Sequence, residues 1–402
     1  MMHFSWSHLI RFKRLRGARK YLYLLVSILL TTIVIIATTP EHAYSQDQTE
    51  LQVIPFDSDR WEINAEESEV KPYLGETALF LKGGFATLKD ANFTNGIIEF
   101  DIAFSDERGF MGVVWRYQDP KNHEKFYMRP HQSGNPDANQ YTPVINGITG
   151  WQLYFNPGRY TVPAVYPYDQ WMHVKVIVSG KEAAIYLNDA EEPSLFIQDM
   201  KRDIEAGSIG IEVEAFAPGH FANFSYVNLD NPPIGEPADP LPPLPAGTVS
   251  AWSVSNAFEE SFVENKFSLS PADLQGLTWD TVQSDPLGIA NLALVQGVEG
   301  EKNTTFARVR ILSDRDQIKP LQFGFSDWAR VYFNNQLLYA GNNKVRSRDY
   351  RFLGTIGLFD QLYLPLKKGE NELWIAVSEN FPFGGWGVQA AFSDQDGITF
   401  LD

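Results

Sequence analysis

Apolar and polar residues alternate with a period of two in one segment after another of this chain. In the clearest case, the even-numbered positions of residues 98–104 are apolar, while Glu99 and Asp101 lie on the opposite face. Residues 172–178 repeat the pattern, and Ser179-Gly180 then supplies a turn. This period is typical of β-strands, whereas an amphipathic helix needs a period of 3.6 residues. The sequence therefore predicts an all-β fold built as a two-sheet sandwich or jelly roll.

A Pro-rich stretch, NPPIGEPADPLPPLPAG, separates two such β-rich halves. Proline-rich segments form semi-rigid linkers, so the domain boundary is placed there. In the second half, Asn334-Asn335 separates two alternating segments and predicts a hairpin turn. The predicted organisation is a signal peptide (1–45), a flexible leader (46–60), a first β-sandwich (61–228), a linker (229–248) and a second β-sandwich (249–402).

The first 45 residues have a basic segment, then an apolar run from Tyr21 to Thr38, then Ala43-Tyr44-Ser45. That order is typical of a secretory signal peptide with a small-residue cleavage site. We therefore expect a secreted protein, periplasmic or extracellular. The alternative is a membrane anchor through an uncleaved Tyr21–Thr38 run, whose length is near the lower limit for crossing a bilayer.

The chain is acidic, with 33 Lys and Arg against 50 Asp and Glu and a net charge of −17. Such a surface repels nucleic acid and anionic membranes, so neither is expected as a partner once the signal segment is removed. There is no cysteine, which excludes thiol catalysis and Cys-ligated zinc. The histidines show no zinc-type spacing, so no metal site or cofactor is predicted. The acidic turn Ser313 to Gln317 is interpreted either as a calcium site or as a simple solvated turn.

Polar and aromatic side chains are concentrated between Arg129 and Tyr154. Read as one long loop followed by a strand, this segment predicts a ligand site, because long loops without regular structure are usually functional or disordered. Amide and guanidinium groups bind sugar hydroxyls, and aromatic rings bind the sugar face. The alternative is a loop whose polar groups satisfy its own backbone. The predicted ligand-binding residues are Arg129, His131, Gln132, Asn135, Asp137, Gln140, Tyr141, Asn146, Trp151, Gln152 and Tyr154.

No catalytic residue is identified. His131 titrates near neutral pH and is a candidate general base, with a plain hydrogen-bonding role as the alternative. His173 is predicted to be an exposed strand residue. In the second half, Trp386 is interpreted as a candidate sugar-stacking ring, and Trp328 and Trp374 as core residues.

The first half contains the segments ALFLKGGFATLKD, FTNGIIEFDIAF, GFMGVVWRYQDP, WMHVKVIVSGKEAAIYLND and SIGIEVEAF. In these segments it resembles the concanavalin A-like lectin/glucanase superfamily, including laminin G-type modules. A related branch holds the 3-keto-disaccharide hydrolase-like domains. Glucanases of the superfamily carry a Glu-x-Asp-x-x-Glu strand, in which both glutamates take part in catalysis. Here Glu99 and Asp101 match, but Phe104 replaces the final Glu. The resemblance therefore implies no family-16-type glucanase activity, and Glu99 and Asp101 are expected to be solvated.

The second half contains the segments ARVYFNNQLLYAG, LYLPLKKGENELWIAVSE and GGWGVQAAF. In these segments it resembles the galactose-binding-like sandwich that accompanies many glycosidases. The two resemblances together predict a secreted, lectin-like protein that binds a neutral glycan or polysaccharide through Arg129–Asn146. One alternative is a glycan-active hydrolase or lyase of the 3-keto-disaccharide type. The other is a non-enzymatic structural protein of the envelope or cell surface.

Overall fold

Strands dominate the chain, as the alternating pattern predicts. The structure is a computed structural model that describes residues 50–235, 243–380 and 384–401. The predicted signal peptide, the apolar run Tyr21–Thr38 and the middle of the predicted linker lie outside these residues. Within the described ranges, no helix has the length and apolar character needed to span a membrane.

The first half forms one antiparallel sheet of 13 strands. In spatial order its main path is β11-β10-β9-β4-β13-β3-β12-β5-β6-β7-β8, with β1 beside β13 and β2 beside β3. The strands are β1 Gln52–Val53, β2 Trp61–Tyr73, β3 Glu76–Leu88, β4 Gly96–Ala103, β5 Met111–Asp119, β6 Asn122–Met128, β7 Asn139–Ile145, β8 Ile148–Thr149, β9 Met172–Ser179, β10 Glu182–Leu187, β11 Leu195–Ile197, β12 Ser208–Val213 and β13 Gly219–Asn228. A short 3₁₀ helix, Pro130–Gln132, precedes β7.

This sheet curls around a single apolar core, and we call it the first sandwich. The apolar side chains of residues 98–104 and 172–178 that the alternation placed on one face are buried in this core. Burial of one such side chain contributes about 1.5–3 kcal/mol, so the two stripes contribute to holding β4 and β9 on the core. The prediction of an all-β fold is confirmed.

The predicted flexible leader is packed against the first sandwich over residues 52–56. Gln52–Val53 pairs with β13, and Ile54 and Phe56 are buried. Phe56 stacks on Trp61 with ring centroids 4.8 Å apart. These two apolar side chains fill one end of the core, which is why the segment is ordered there.

The second half forms a sheet of 8 strands and a sheet of 4 strands, and we call it the second sandwich. Their main paths are β16-β14-β18-β23-β20-β21, with β15 and β25 beside β18, and β17-β24-β19-β22. The elements are β14 Ala251–Ser255, β15 Phe258–Glu259, α1 Ser261–Glu264, β16 Trp279–Gln283, β17 Ala290–Asn291, the 3₁₀ helix Leu292–Leu294, β18 Lys302–Ser313, β19 Gln317–Ser326, β20 Trp328–Phe333, β21 Gln336–Asn342, β22 Asp360–Leu366, β23 Gly369–Ser378, β24 Gly387–Phe392 and β25 Ile398–Leu401.

Two details of the second sandwich bear on the sequence predictions. The hairpin turn at Asn334-Asn335 is confirmed, because both residues have positive φ (49° and 68°) and join β20 to β21. Trp386 is a core residue, since its ring is fully buried and its Nε1 donates to the Val377 carbonyl oxygen at 3.0 Å. The interpretation of Trp386 as a sugar-stacking ring is therefore wrong.

The two sandwiches pack against one another within one unit that spans Glu50–Asp402. Ile145 and Ile148 of the first sandwich join the core of the second, and Ile289 of the second half joins the core of the first. The Lys201 ammonium lies 2.7 Å from the Asp285 carboxylate across this junction. Apolar interdigitation and an ion pair thus fix the mutual position of the two halves.

Candidate functional site

Strand β6 presents a row of polar side chains to a cleft of about 930 Å³. Because strand residues alternate between faces, His123, Lys125, Tyr127 and then Arg129 point the same way. All four line the cleft, while Phe126 and Met128 point into the core of the first sandwich. The floor of the cleft is therefore chemically polar, although its side chains are almost fully buried by their neighbours.

An ion cluster occupies the middle of this floor. The Lys125 ammonium lies 3.1 Å from one Glu212 carboxylate oxygen and 3.2 Å from the other, and 3.8 Å from Glu214. Burial alone would lower the pKa of Lys125, but the two carboxylates raise it above its ordinary value. Burial raises the pKa of the Glu214 carboxyl. Lys125 thus stays charged and is held in a fixed position.

His123 is the second titratable group of the floor and is 1% exposed. Its Nδ1 lies 3.3 Å from the Asp119 carbonyl oxygen, so Nδ1 carries the proton and donates it. Its Nε2 has no hydrogen-bond partner and lies 4.0 Å from Glu212. Burial lowers the pKa of His123 to about 4. The imidazole is therefore neutral at physiological pH, with an unused acceptor.

Arg129 forms the other end of the floor. Its Nη2 donates to the Tyr127 hydroxyl (2.5 Å) and to the Gln140 Oε1 (2.7 Å), and its Nη1 donates to the Asp137 carbonyl oxygen (2.8 Å). Gln140 in turn donates from Nε2 to the Trp151 carbonyl oxygen at 2.9 Å. These contacts fix the guanidinium plane against the Tyr127 ring, whose centroid is 4.7 Å away.

Aromatic rings form the rim of the cleft. Phe110 lies 5.3 Å from Phe216 and 5.4 Å from His131 between ring centroids. The Arg108 guanidinium lies over Phe216 at 4.9 Å. Phe85 and Trp151 also line the cleft. Polar groups at the floor and rings at the rim are the usual composition of a small-molecule site.

Five of the predicted site residues line this cleft, namely Arg129, His131, Gln132, Asp137 and Trp151. A sixth, Gln140, lies behind the floor and holds Arg129. Burial lowers the pKa of His131 below its ordinary value, with Arg108 adding to the effect. The structure therefore brings part of the predicted set together.

The other predicted residues point elsewhere. Tyr141 and Tyr154 lie in the core of the first sandwich, because they face away from the cleft. Asn146 donates to the Ala293 carbonyl oxygen (2.8 Å), and Gln152 donates to that of Leu353 (2.9 Å), so both contact the second sandwich. Asn135 is exposed and donates to Gln132 Oε1 at 2.9 Å.

The prediction of one long loop over Arg129–Asn146 is also wrong. Residues Asn139–Ile145 form β7, which pairs with β6 over residues 139–144. Trp151 to Tyr154 form a turn and not the predicted strand. The prediction of a loop failed because β7 contains buried polar residues such as Asn139 and Thr142. Polar residues of this kind are typical of loops when only the sequence is considered.

Most residues of the floor and rim were not predicted from the sequence as site residues. They are His123, Lys125, Tyr127, Glu212, Glu214, Phe85, Phe110 and Phe216. Two signals for them exist in the sequence. Residues 125–129 alternate, with apolar Phe126 and Met128 between Lys125, Tyr127 and Arg129, and Glu212 and Glu214 flank apolar Val213. Each pattern assigns a polar face to its strand, but neither shows that the two faces meet.

Glu99 and Asp101 lie outside the cleft and are paired, which corrects the expectation of solvated side chains. The Glu99 carboxylate lies 3.4 Å from the Lys175 ammonium. His173 Nδ1 lies 2.8 Å from an Asp101 carboxylate oxygen, so His173 is not simply an exposed strand residue. This pairing raises the pKa of His173. Phe104, at the position of the glucanase acid, is buried against Tyr166.

The acidic turn of the second sandwich is held by basic side chains. Asp314 pairs with Arg315 at 3.0 Å, and Asp316 pairs with Lys367 at 3.0 Å. Across residues 50–235, 243–380 and 384–401, no group of three or more His, Asp or Glu side chains is arranged to hold a metal ion.

The comparison with protein families concerns the segment that builds the cleft. Residues 56–226 match the family model of the 3-keto-alpha-glucoside-1,2-lyase-like domain. The resemblance of the first half to this branch is confirmed. This matched segment contains every cleft residue named so far. No curated protein matches the chain.

Three solved structures resemble part of this chain at low sequence identity. A carbohydrate-binding module of Bacillus subtilis is 17% identical (TM-score 0.30) over 42% of this chain and 94% of its own. A Bacillus subtilis protein of unknown function with a galectin-like fold is 11% identical (TM-score 0.32) over 44% of this chain and 95% of its own. A xylan beta-1,4-xylosidase of Bacillus halodurans is 15% identical (TM-score 0.31) over 47% of this chain and 41% of its own. Such identities and TM-scores carry no information about function.

Proposed function

We propose that the protein is a carbohydrate-binding protein whose cleft in the lyase-like domain holds a neutral glycan. The observation that carries this proposal is the combination of a rigid polar floor with an aromatic rim in one cleft of about 930 Å³. Sugars present hydroxyl groups at their edges and C–H groups on their faces. Both kinds of group find a counterpart here.

The floor suits hydroxyl recognition because its polar groups are already oriented. Lys125 is fixed by Glu212, and Arg129 is fixed by Tyr127 and Gln140. Groups that are ordered before binding lose little entropy when a ligand arrives. The charges of the floor are largely balanced, which favours a neutral ligand over a polyanion.

The rim suits the apolar face of a sugar ring. Phe216 is 45% exposed and lies beside Phe110, so both rings remain open to a ligand. Exposed aromatic rings at a concave site are the usual anchors of binding energy.

A glycan array tests the proposal directly. Retention of the wild-type protein on neutral oligosaccharides, and loss of that retention in a Phe110→Ala/Phe216→Ala variant, is the expected result. A wild-type protein that binds no member of the array would leave the structural-protein alternative. The Phe267→Ala variant is the matched control, because Phe267 is 77% exposed in the second sandwich and does not line the cleft.

One observation favours a second function, elimination from a keto sugar. The neutral Nε2 of His123 lies unpaired beside Glu212, and Glu212 in turn holds the Lys125 ammonium. In a 3-keto glycoside, the ketone acidifies the C2 proton. His123 would take that proton while the C1–O bond breaks and a C1–C2 double bond forms. The departing oxygen takes its proton from the protonated His123, which returns His123 to its neutral form, and Lys125 stabilises negative charge on the ketone oxygen.

This second function predicts the appearance of a conjugated enone, seen as new ultraviolet absorbance when a 3-keto disaccharide is added. A general base contributes about 10²–10⁴-fold, so His123→Gln is expected to lose at least ~100-fold of the rate. His131→Gln is the control, since His131 also lines the cleft. Equal rates for wild-type and His123→Gln proteins would exclude His123 as the base.

Secretion is part of the proposal. It is supported by the basic segment, the apolar run Tyr21–Thr38 and the small-residue site that follows. N-terminal sequencing of the exported protein tests it, with a start after Ser45 expected. A mature chain that keeps Tyr21–Thr38 and fractionates with membranes would support the anchor instead.

A further inference from the structure

One wall of the cleft comes from the second sandwich. Val345, Arg346 and Leu353 line it together with the floor residues of the first sandwich. These three residues belong to the connection between β21 and β22, which we call the wall loop (residues 343–359). A ligand long enough to reach both walls of this cleft can contact both sandwiches, whereas a short ligand contacts only one.

Gln152 holds the wall loop to the first sandwich. Its Nε2 donates to the Leu353 carbonyl oxygen (2.9 Å), and its own carbonyl oxygen accepts from the Ile356 backbone N–H (3.0 Å). Its Oε1 accepts from the Ser326 hydroxyl at 3.3 Å. Gln152 is 1% exposed, so all three bonds are protected from water.

Asn343 fixes the start of the loop from within the second sandwich. Its Nδ2 donates to the Phe325 carbonyl oxygen (2.8 Å), and its backbone N–H donates to that of Asp327 (2.7 Å). Its Oδ1 accepts from Arg348 Nε at 2.6 Å. The loop is therefore held at both ends by buried amide side chains, and its residues at the cleft have defined positions.

Arg346 stands out in this loop. It is exposed, and within the described part of the chain its guanidinium has no hydrogen-bond or ion-pair partner. Its backbone has a φ of 63°, and its N–H donates to the Phe352 carbonyl oxygen at 2.7 Å. The left-handed conformation is uncommon for a residue with a side chain. A tight turn thus presents a free planar donor group at the cleft.

We propose that the second sandwich completes the glycan site, with Arg346 and Leu353 contacting a second sugar unit beyond the one held at Arg129. This inference rests on the proposed function and specifies its ligand as an oligosaccharide of at least two units. The cleft volume of about 930 Å³ supports this, because it lies at the upper end of the ~300–1,000 Å³ range of drug-sized ligand sites. Gln152 is a positioning residue in this arrangement.

Two variants test the inference. Arg346→Ala removes the free donor group from an exposed position. Gly354→Ala disturbs the loop anchor, because a Cβ there would lie 2.1 Å from Gln152 Nε2. Gly276→Ala is its matched control. Gly354 and Gly276 have similar positive φ (77° and 87°), but a Cβ at Gly276 meets nothing within 4 Å.

The probes are the monosaccharides through tetrasaccharides of the cello-, malto- and xylo-series, added to the full mature chain in titration calorimetry. Arg346→Ala and Gly354→Ala are expected to lower the affinity for the longest bound member at least 10-fold. Both variants are expected to leave the affinity for the monosaccharide of the same series unchanged. Gly276→Ala is expected to bind every probe with wild-type affinity.

Wild-type binding with unchanged affinities in Arg346→Ala and Gly354→Ala would overturn this inference alone. An equal loss for monosaccharide and oligosaccharide would also overturn it, since the second sandwich would then act on the whole site. A wild-type protein that binds no probe would overturn the proposed function, and this inference with it.

Discussion

The Lys125 ammonium lies within 3.2 Å of both carboxylate oxygens of Glu212, at the floor of a cleft between two β-sandwiches. The two residues are separated by 87 positions in sequence and meet because β12, β5 and β6 are neighbours in one sheet. Lys125 is 4% exposed, so the pair is largely withdrawn from water.

Lys125→Met is expected to lower the free energy of unfolding by up to about 3 kcal/mol, because it leaves the partly buried Glu212 carboxylate without its partner. The double variant Lys125→Met/Glu212→Gln is expected to be more stable than Lys125→Met alone, since it removes the uncompensated charge. Denaturant unfolding of the wild-type protein, the two single variants Lys125→Met and Glu212→Gln, and the double variant completes the double-mutant cycle. Strictly additive losses would contradict the ion pair.

His123 predicts a specific dependence of stability on pH. Its pKa is about 4 in the folded protein and ~6.5 in an unfolded chain, so the unfolded state binds the extra proton between these values. The free energy of unfolding therefore has its full value above pH ~6.5. It decreases by up to about 1.4 kcal/mol per pH unit as the pH falls towards 4. In His123→Phe this part of the slope should be absent.

His173 provides the opposite case as a control. Pairing with Asp101 raises its pKa, so its stabilising contribution is present at low pH and is lost as the pH rises through that pKa. His173→Asn should therefore reduce stability on the acid side of neutrality and have little effect at high pH.

A direct NMR titration that gives His123 an ordinary pKa would contradict the burial described for it.

Tyr141 tests whether a predicted ligand residue is structural. Its hydroxyl donates to Glu124 (2.7 Å) and accepts from the Lys201 backbone N–H (2.7 Å), in the core of the first sandwich. Tyr141→Phe is expected to cost about 1–3 kcal/mol of stability, because buried polar groups lose their partner. Glycan affinity should stay within twofold of wild type at a temperature where the variant is folded. A tenfold loss of affinity with unchanged stability would return Tyr141 to the binding site.

The parts of the fold that depend on local pattern could be predicted. The alternation over residues 98–104 gave the buried face of β4, and Asn334-Asn335 gave a hairpin with positive φ. The cluster of polar and aromatic residues also predicts Arg129 as a site residue, and Arg129 lines the cleft. Each of these signals is complete within a few residues of sequence.

The rest of the site depends on which strands lie side by side. Lys125 and Glu212 each look like ordinary exposed strand residues until β6 and β12 are known to flank β5. Gln152 looks like a sugar ligand, but it contacts Leu353, 201 positions later. Single-sequence patterns give the face on which a side chain lies and give no information about the strand or loop that meets that face.

The contribution of the aromatic rim is the most direct test of the cleft as a glycan site. The measurement is titration calorimetry of the glycan-array ligand with the wild-type, Phe216→Ala and Phe267→Ala proteins. Removing an anchoring ring typically costs at least ~2 kcal/mol, so Phe216→Ala should lower affinity about 30-fold while Phe267→Ala leaves it unchanged. Equal affinities of all three proteins would place the glycan elsewhere and contradict the account.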